Sequence, residues 1–72
     1  MIGQARDLAK SDTKNDSGFN WCLVTGTAGS LIIQQSGGNQ TTLANVPVGV
    51  WIPVGNATNI LTSSTASGLM VA

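Results

Sequence analysis

Alternation of apolar and polar residues over short stretches is the main signal in the longer, second part of this chain. Val50, Ile52 and Val54, for example, share one side of an extended segment, and Trp51 lies on the other. Turn residues separate such stretches, as at 36–39 and 55–56, because Gly and Asn tolerate the backbone of tight turns.

The predicted strands are residues 19–25, 30–35, 40–46, 49–54, 57–62 and 68–72. The pattern predicts an all-β fold: a small single-domain sandwich or barrel of about six short antiparallel strands. Pro53 cannot donate a backbone hydrogen bond, so its strand should lie at an edge or carry a bulge.

Residues 1–17 follow a different pattern and predict an extended N-terminal arm. Ile2, Ala5 and Leu8 occur at a spacing of three, which would place them on one stripe of a short helix over 1–10. A helix this short is marginal in water, so it would be frayed or ordered by a partner. Residues 11–18 are rich in turn formers and indicate a linker. We therefore expect an arm at 1–17, flexible or ordered by a partner, and a β domain at 18–72.

Charge is scarce and confined to the arm. The three basic and three acidic residues make up 8% of the chain, and all of them precede Ser17. Soluble domains are about 25% charged, and a net charge near zero promotes association. Chains below roughly 70–80 residues usually need disulfides, a metal or partner subunits, but this chain has a single cysteine and no histidine. The composition therefore predicts stability drawn from association with itself or with other proteins.

The same composition predicts a protein that is not an enzyme and has no cofactor. Without histidine there is no Ser-His-Asp or Cys-His arrangement, and the three aspartates lie in the polar arm. Cys22 is flanked by Trp21 and Leu23, which predicts a buried, inert thiol. Residues 26–30 lack the lysine of a phosphate-binding loop and indicate a turn. Three scattered cations do not predict a nucleic-acid surface, and we expect neither a signal peptide nor a membrane span.

The two tryptophans allow two interpretations. Core packing is expected for at least one of Trp21 and Trp51. If Val50, Ile52 and Val54 face the core, Trp51 points outward, where it could anchor a protein interface or stack on a sugar.

The order of strands and turns resembles the small spike base proteins on heads of tailed phages and of phage-derived gene transfer agents. More loosely, it resembles small capsid decoration and cement proteins. The stretches that carry the likeness are 23–30 (LVTGTAGS), 43–54 (LANVPVGVWIPV), and 59–62 with 65–71 (NILT and TASGLMV). Two positions depart from the family pattern. Ser11 precedes Asp12 where the family often has a proline, and Gly55 follows Val54 where it often has an arginine.

The resemblance implies a structural virion protein on the outside of the capsid, made in the host cytoplasm. The implied partners of the chain are the major capsid protein or other virion subunits, and further copies of the chain in a trimer or pentamer. A fibre protein is another implied partner. The residues that we predict for the protein interface are Ile2, Arg6, Leu8, Lys10 and Trp51. Two alternatives stay open: a tail fibre or baseplate adaptor, and a small carbohydrate-binding β module.

Overall fold

A computed structural model describes residues 5–72, which form one six-stranded antiparallel sheet. The strands are β1 Arg6–Asp7, β2 Phe19–Thr27, β3 Gly29–Gln35, β4 Gln40–Val46, β5 Trp51–Ile60 and β6 Ser67–Val71. Their order across the sheet is β1-β6-β2-β5-β3-β4. The all-β prediction with six antiparallel strands is confirmed. Within the described part of the chain there is no helix long and apolar enough to cross a membrane.

The six observed strands are not the six that the pattern predicted. The predicted strands at 49–54 and 57–62 are one strand, β5, whose first half pairs with β2 and whose second half pairs with β3. Gly55 and Asn56 both adopt positive φ, of 64° and 58°, but they form an irregularity within β5 instead of a turn. The strand can therefore bend between its two partners without leaving the sheet.

The arm supplies the remaining strand, which corrects the predicted helix over the described residues. Arg6 and Asp7 pair with β6, the Leu8 N–H donates to the Leu69 carbonyl at 3.0 Å, and the Ser11 N–H donates to the Ile60 carbonyl at 2.8 Å. These contacts, which hold the described part of the arm against the sheet, come from the same chain. The free edge of β6 offers interstrand hydrogen bonds and packing that an isolated helical turn lacks.

The sheet curls around one core, to which β2, β3, β5 and β6 all contribute. The buried side chains of this core are Phe19, Cys22, Val24, Leu31, Ile33, Val46, Val54, Ala57, Ile60, Ala66, Leu69 and Val71. Leu8, Leu43 and Ile52 pack against it from partly buried positions. Pro53 fits the edge prediction, because β3 pairs only with the second half of β5 and leaves one side of Pro53 unpaired.

Candidate functional site

Strand β2 has a buried side and an outward side. Cys22 and Val24 are completely buried in the core, whereas Trp21 and Leu23 alternate with them and are half-buried on the other side. The larger aromatic of the pair is therefore directed away from the core of its own domain.

The strands on either side of β2 continue this outward surface. Residues that are Cα partners in adjacent strands share a face, and the partners of Leu23 are Trp51 in β5 and Met70 in β6. Trp21 is the partner of Pro53. We call this set, Trp21, Leu23, Trp51, Pro53 and Met70, the tryptophan face.

The pairing geometry holds the bulky side chains of this face close together. Trp21 exchanges both of its backbone hydrogen bonds with Ala72, at 3.0 Å each, so its backbone groups point away from β5. The Trp21–Pro53 and Leu23–Trp51 pairs are consequently of the non-hydrogen-bonded kind, in which opposite Cα atoms are only about 4.5 Å apart. This close spacing favours a continuous apolar surface.

Two exposed valines lie in the segment between β4 and β5, close in sequence to Trp51. Val48 and Val50 are 46% and 50% exposed. Val48 forms an isolated bridge with Val24 of β2, and Val50 directly precedes Trp51. No residue from 17 to 72 is charged, so Asp7, the β1 partner of Met70, is the charge that borders the tryptophan face in the described sheet.

Arg6 and Lys10, which the sequence predicts for a protein interface, form hydrogen bonds within the chain. The Arg6 guanidinium forms a forked ion pair with the Asp16 carboxylate, at 2.7 and 3.0 Å, and also donates to the Gly18 carbonyl. The hydrogen bonds from Arg6 lower the pKa of Asp16. Lys10 Nζ donates to the Ser64 carbonyl at 2.7 Å.

The other predicted interface residues have different positions. Leu8 is half-buried against the core, and Ile2 lies outside the described residues. Trp51 is on the surface, on the side opposite Ile52, as the alternation predicted. The expectation that at least one tryptophan belongs to the core is wrong, because neither Trp21 nor Trp51 joins it. The burial of Cys22 was predicted correctly, and the same alternation would have placed Trp21 outside.

A polar groove of about 460 Å³ shares no residue with the tryptophan face. It lies between the arm, the turn after β3 and the second half of β5, and its lining includes Asp12, Lys14, Gln34 and Asn59. No aromatic side chain lines it. A sugar that stacks on tryptophan would therefore bind on the tryptophan face and not in this groove.

The described residues offer little to nucleophilic or metal chemistry. Burial raises the pKa of the Cys22 thiol to about 11, so the thiol is protonated near neutral pH. Among residues 5–72, no three His, Cys, Asp or Glu side chains are grouped so that they could hold a metal ion.

Comparison of the chain with models of protein families, with curated proteins and with solved structures finds no match. The apolar outward surface, and not a relative, is therefore the feature from which a function is inferred.

Proposed function

We propose that this chain is a structural subunit that attaches to other proteins through its tryptophan face. Within that class, we propose a decoration, cement or head-spike base protein on the outside of a tailed-phage capsid. The observation that supports attachment is the position of both tryptophans on the outward, half-buried side of the central strands. The virion setting is supported by the resemblance of the strand and turn order to that family.

The free energy available from covering apolar side chains favours an apolar contact over surface ion pairs. A tryptophan carries about 150–250 Å² of surface, and Trp21 and Trp51 are each no more than about a third exposed, so covering one removes at most about 90 Å² from water. At about 25 cal/mol per Å² this amounts to at most roughly 2 kcal/mol for each tryptophan before the costs of association. A surface ion pair contributes only about 0–1 kcal/mol, and Arg6 already has its partner in Asp16.

An apolar attachment has a distinctive dependence on salt. Charge-driven association weakens as ionic strength rises, because exposed charges are screened over about 10 Å at 0.1 M salt. The tryptophan face contains no formal charge, so we expect occupancy of the partner to change little between low and moderate salt.

The first experiment is peptide mass spectrometry of particles of the phage that encodes the chain, separated into heads and tails. Many copies on heads are expected. A few copies on tails would favour the fibre or baseplate adaptor, which would use the same face. Absence from both fractions would refute the virion setting.

The second experiment tests the tryptophan face itself. Trp51→Ala is expected to lower head occupancy at least tenfold, while Lys14→Ala, a change in the exposed part of the arm, should leave it unchanged. Circular dichroism and thermal unfolding of both variants show whether each is folded. If a folded Trp51→Ala variant binds heads as well as Lys14→Ala does, the tryptophan face is not the attachment surface.

The carbohydrate-binding alternative is favoured by the same outward-facing, half-buried aromatic side chains. Stacking of a sugar on Trp21 or Trp51 would change the tryptophan fluorescence of the purified chain. A glycan panel therefore separates the two proposals: saturable quenching by a glycan favours the binding module, and no response across the panel argues against it.

A further inference from the structure

Strand β4 forms one edge of the sheet and lacks most of the usual protection of an edge strand. Among residues 5–72 it pairs only with β3, and this seven-residue strand contains no charged residue and no proline. The opposite edge, β1, has two residues, and both are charged. Native proteins usually shield an edge with charge, proline, a bulge or a very short strand, because its unpaired backbone groups can bind another strand.

A bulge protects only one end of β4. The register with β3 shifts between Gly29 and Leu31, opposite Asn45, which has a positive φ of 56°. From residue 40 to residue 43 the pairing with β3 is regular, and residues 40–42 and 44 are exposed. The open part of the edge is therefore residues 40–44.

The hydrogen bonds of β3 show which backbone groups of this edge are free to bind. The Ile32 carbonyl accepts from the Leu61 N–H at 2.9 Å, and the Ile32 N–H donates to the Ser64 hydroxyl at 2.8 Å, so the backbone of Ile32 faces away from β4. Its Cα partner Thr42 therefore belongs to a non-hydrogen-bonded pair and directs its own N–H and C=O outward. By alternation, Gln40 does the same. Ala44 lies opposite Ser30, whose N–H donates to the Thr65 hydroxyl at 2.7 Å and whose carbonyl accepts from the Ala66 N–H at 3.1 Å, so no backbone group of Ser30 is directed at Ala44.

We propose that residues 40–44 pair antiparallel with the same residues of a second copy, around a two-fold axis at Thr42. In this register Thr42 pairs with its counterpart and Gln40 pairs with Ala44 of the second copy. All outward backbone groups of these residues are then satisfied, by about six hydrogen bonds. A second copy fits this edge because the segment is complementary to itself and brings no like charges together.

This pairing goes beyond the proposed function and uses a different surface from the tryptophan face. It joins two sheets into one and leaves both tryptophan faces in place. It also predicts two-fold pairs, in contrast to the trimer or pentamer that the family resemblance implies.

Disulfide trapping in the purified chain tests the register. Opposite Cα atoms in a hydrogen-bonded pair are about 5.5 Å apart, which suits a disulfide, so Thr42→Cys should give a covalent dimer under mild oxidation. Gln40→Cys is the matched control: it is exposed on the same strand and side, but the two Gln40 positions lie about 13 Å apart along the paired strands. Native Cys22 is buried and should not interfere.

Mixing the single variants makes the test specific to the register. Gln40→Cys mixed with Ala44→Cys should give a mixed dimer, while each of them alone should remain monomeric on a non-reducing gel. Equal trapping of Thr42→Cys and Gln40→Cys would show random collision and overturn the proposal.

Sedimentation, which reports the mass of the protein in solution, tests the two-fold pairing without cross-linking. The native chain should sediment as a dimer, Thr42→Val should retain the dimer, and Thr42→Lys should raise the dissociation constant at least tenfold, because it places two cations against each other. A native monomer at the highest soluble concentration, a trimer or a pentamer would overturn the two-fold pairing. Because only the purified chain is used, this result is independent of whether the protein binds phage heads.

Discussion

Asn59 is a completely buried polar residue that connects the arm to the sheet. Its Nδ2 group donates to the Ser11 carbonyl at 2.9 Å and to Gln34 Oε1 at 3.1 Å, and its Oδ1 accepts from the Thr58 hydroxyl at 2.9 Å. The adjacent residue of β5, Ile60, accepts the backbone bond from Ser11. Substitution of Asn59 should therefore loosen the arm as well as the core.

Asn59→Ala removes three hydrogen bonds and leaves polar groups in a site that water reaches poorly. A typical hydrogen bond contributes about 0.5–1.5 kcal/mol net, and a buried group left without a partner costs about 1–3 kcal/mol. We expect a total loss of about 2–4 kcal/mol in the free energy of unfolding. In a domain of this size each kcal/mol lowers Tm by about 4–8 °C, so Tm should fall by roughly 8–32 °C.

Thermal unfolding followed by circular dichroism, at one protein concentration, measures this change. The matched control is Asn15→Ala, because Asn15 also donates through its amide to an arm carbonyl, that of Ala9 at 2.9 Å, but from an exposed position. Its loss should stay below about 1 kcal/mol.

Hydrogen exchange then shows where the effect acts. In Asn59→Ala, exchange of the Ser11 amide should accelerate more than exchange of amides in the centre of the sheet. Equal Tm values for the two variants, or unchanged protection at Ser11, would refute the role of Asn59 in holding the arm.

Two further predictions follow from the arm and from a close approach of two strands. Because Arg6 lowers the pKa of Asp16 below its ordinary value of 3.8, the stabilisation from this pair should be complete above that pH and lost as the pH falls through the lowered pKa. Urea unfolding should therefore show the stability difference between the native chain and Asp16→Asn shrinking below pH 3.8, and a constant difference would contradict this. Gly68 and Gly55 have similar φ values of 70° and 64°, but a Cβ at Gly68 would lie 2.6 Å from the Gly26 nitrogen, whereas Gly55 faces open space. Gly55→Ala should lower the free energy of unfolding by about 1–2 kcal/mol, because of its backbone conformation alone. Gly68→Ala should lower it by about 1–3 kcal/mol more, because the new Cβ would meet the Gly26 nitrogen. Equal unfolding midpoints of the two variants would show that this close approach is unimportant.

Features that depend on neighbouring residues could be predicted from the amino-acid sequence. The period of two predicted β4 at its observed bounds, 40–46, and the burial of Cys22. The glycines at 37 and 38 have positive φ, as the predicted hairpin turn requires. The outward position of Trp51 could also be predicted, because alternation within one strand separates Trp51 from Ile52. Each of these features is fixed by local stereochemistry.

Which strands pair with each other depends on contacts between residues that are distant in sequence. The sequence of residues 5–12 does not show that β6 leaves a free edge for Arg6 and Asp7, so local spacing favoured a helix instead. Gly55 and Asn56 were assigned to a turn because the hydrogen bonds that keep β5 continuous come from β2 and β3, which are distant in sequence. The tryptophan face likewise forms only when β2, β5 and β6 align Trp21, Trp51 and Met70, since hydrogen bonds between strands and not local propensity fix that alignment.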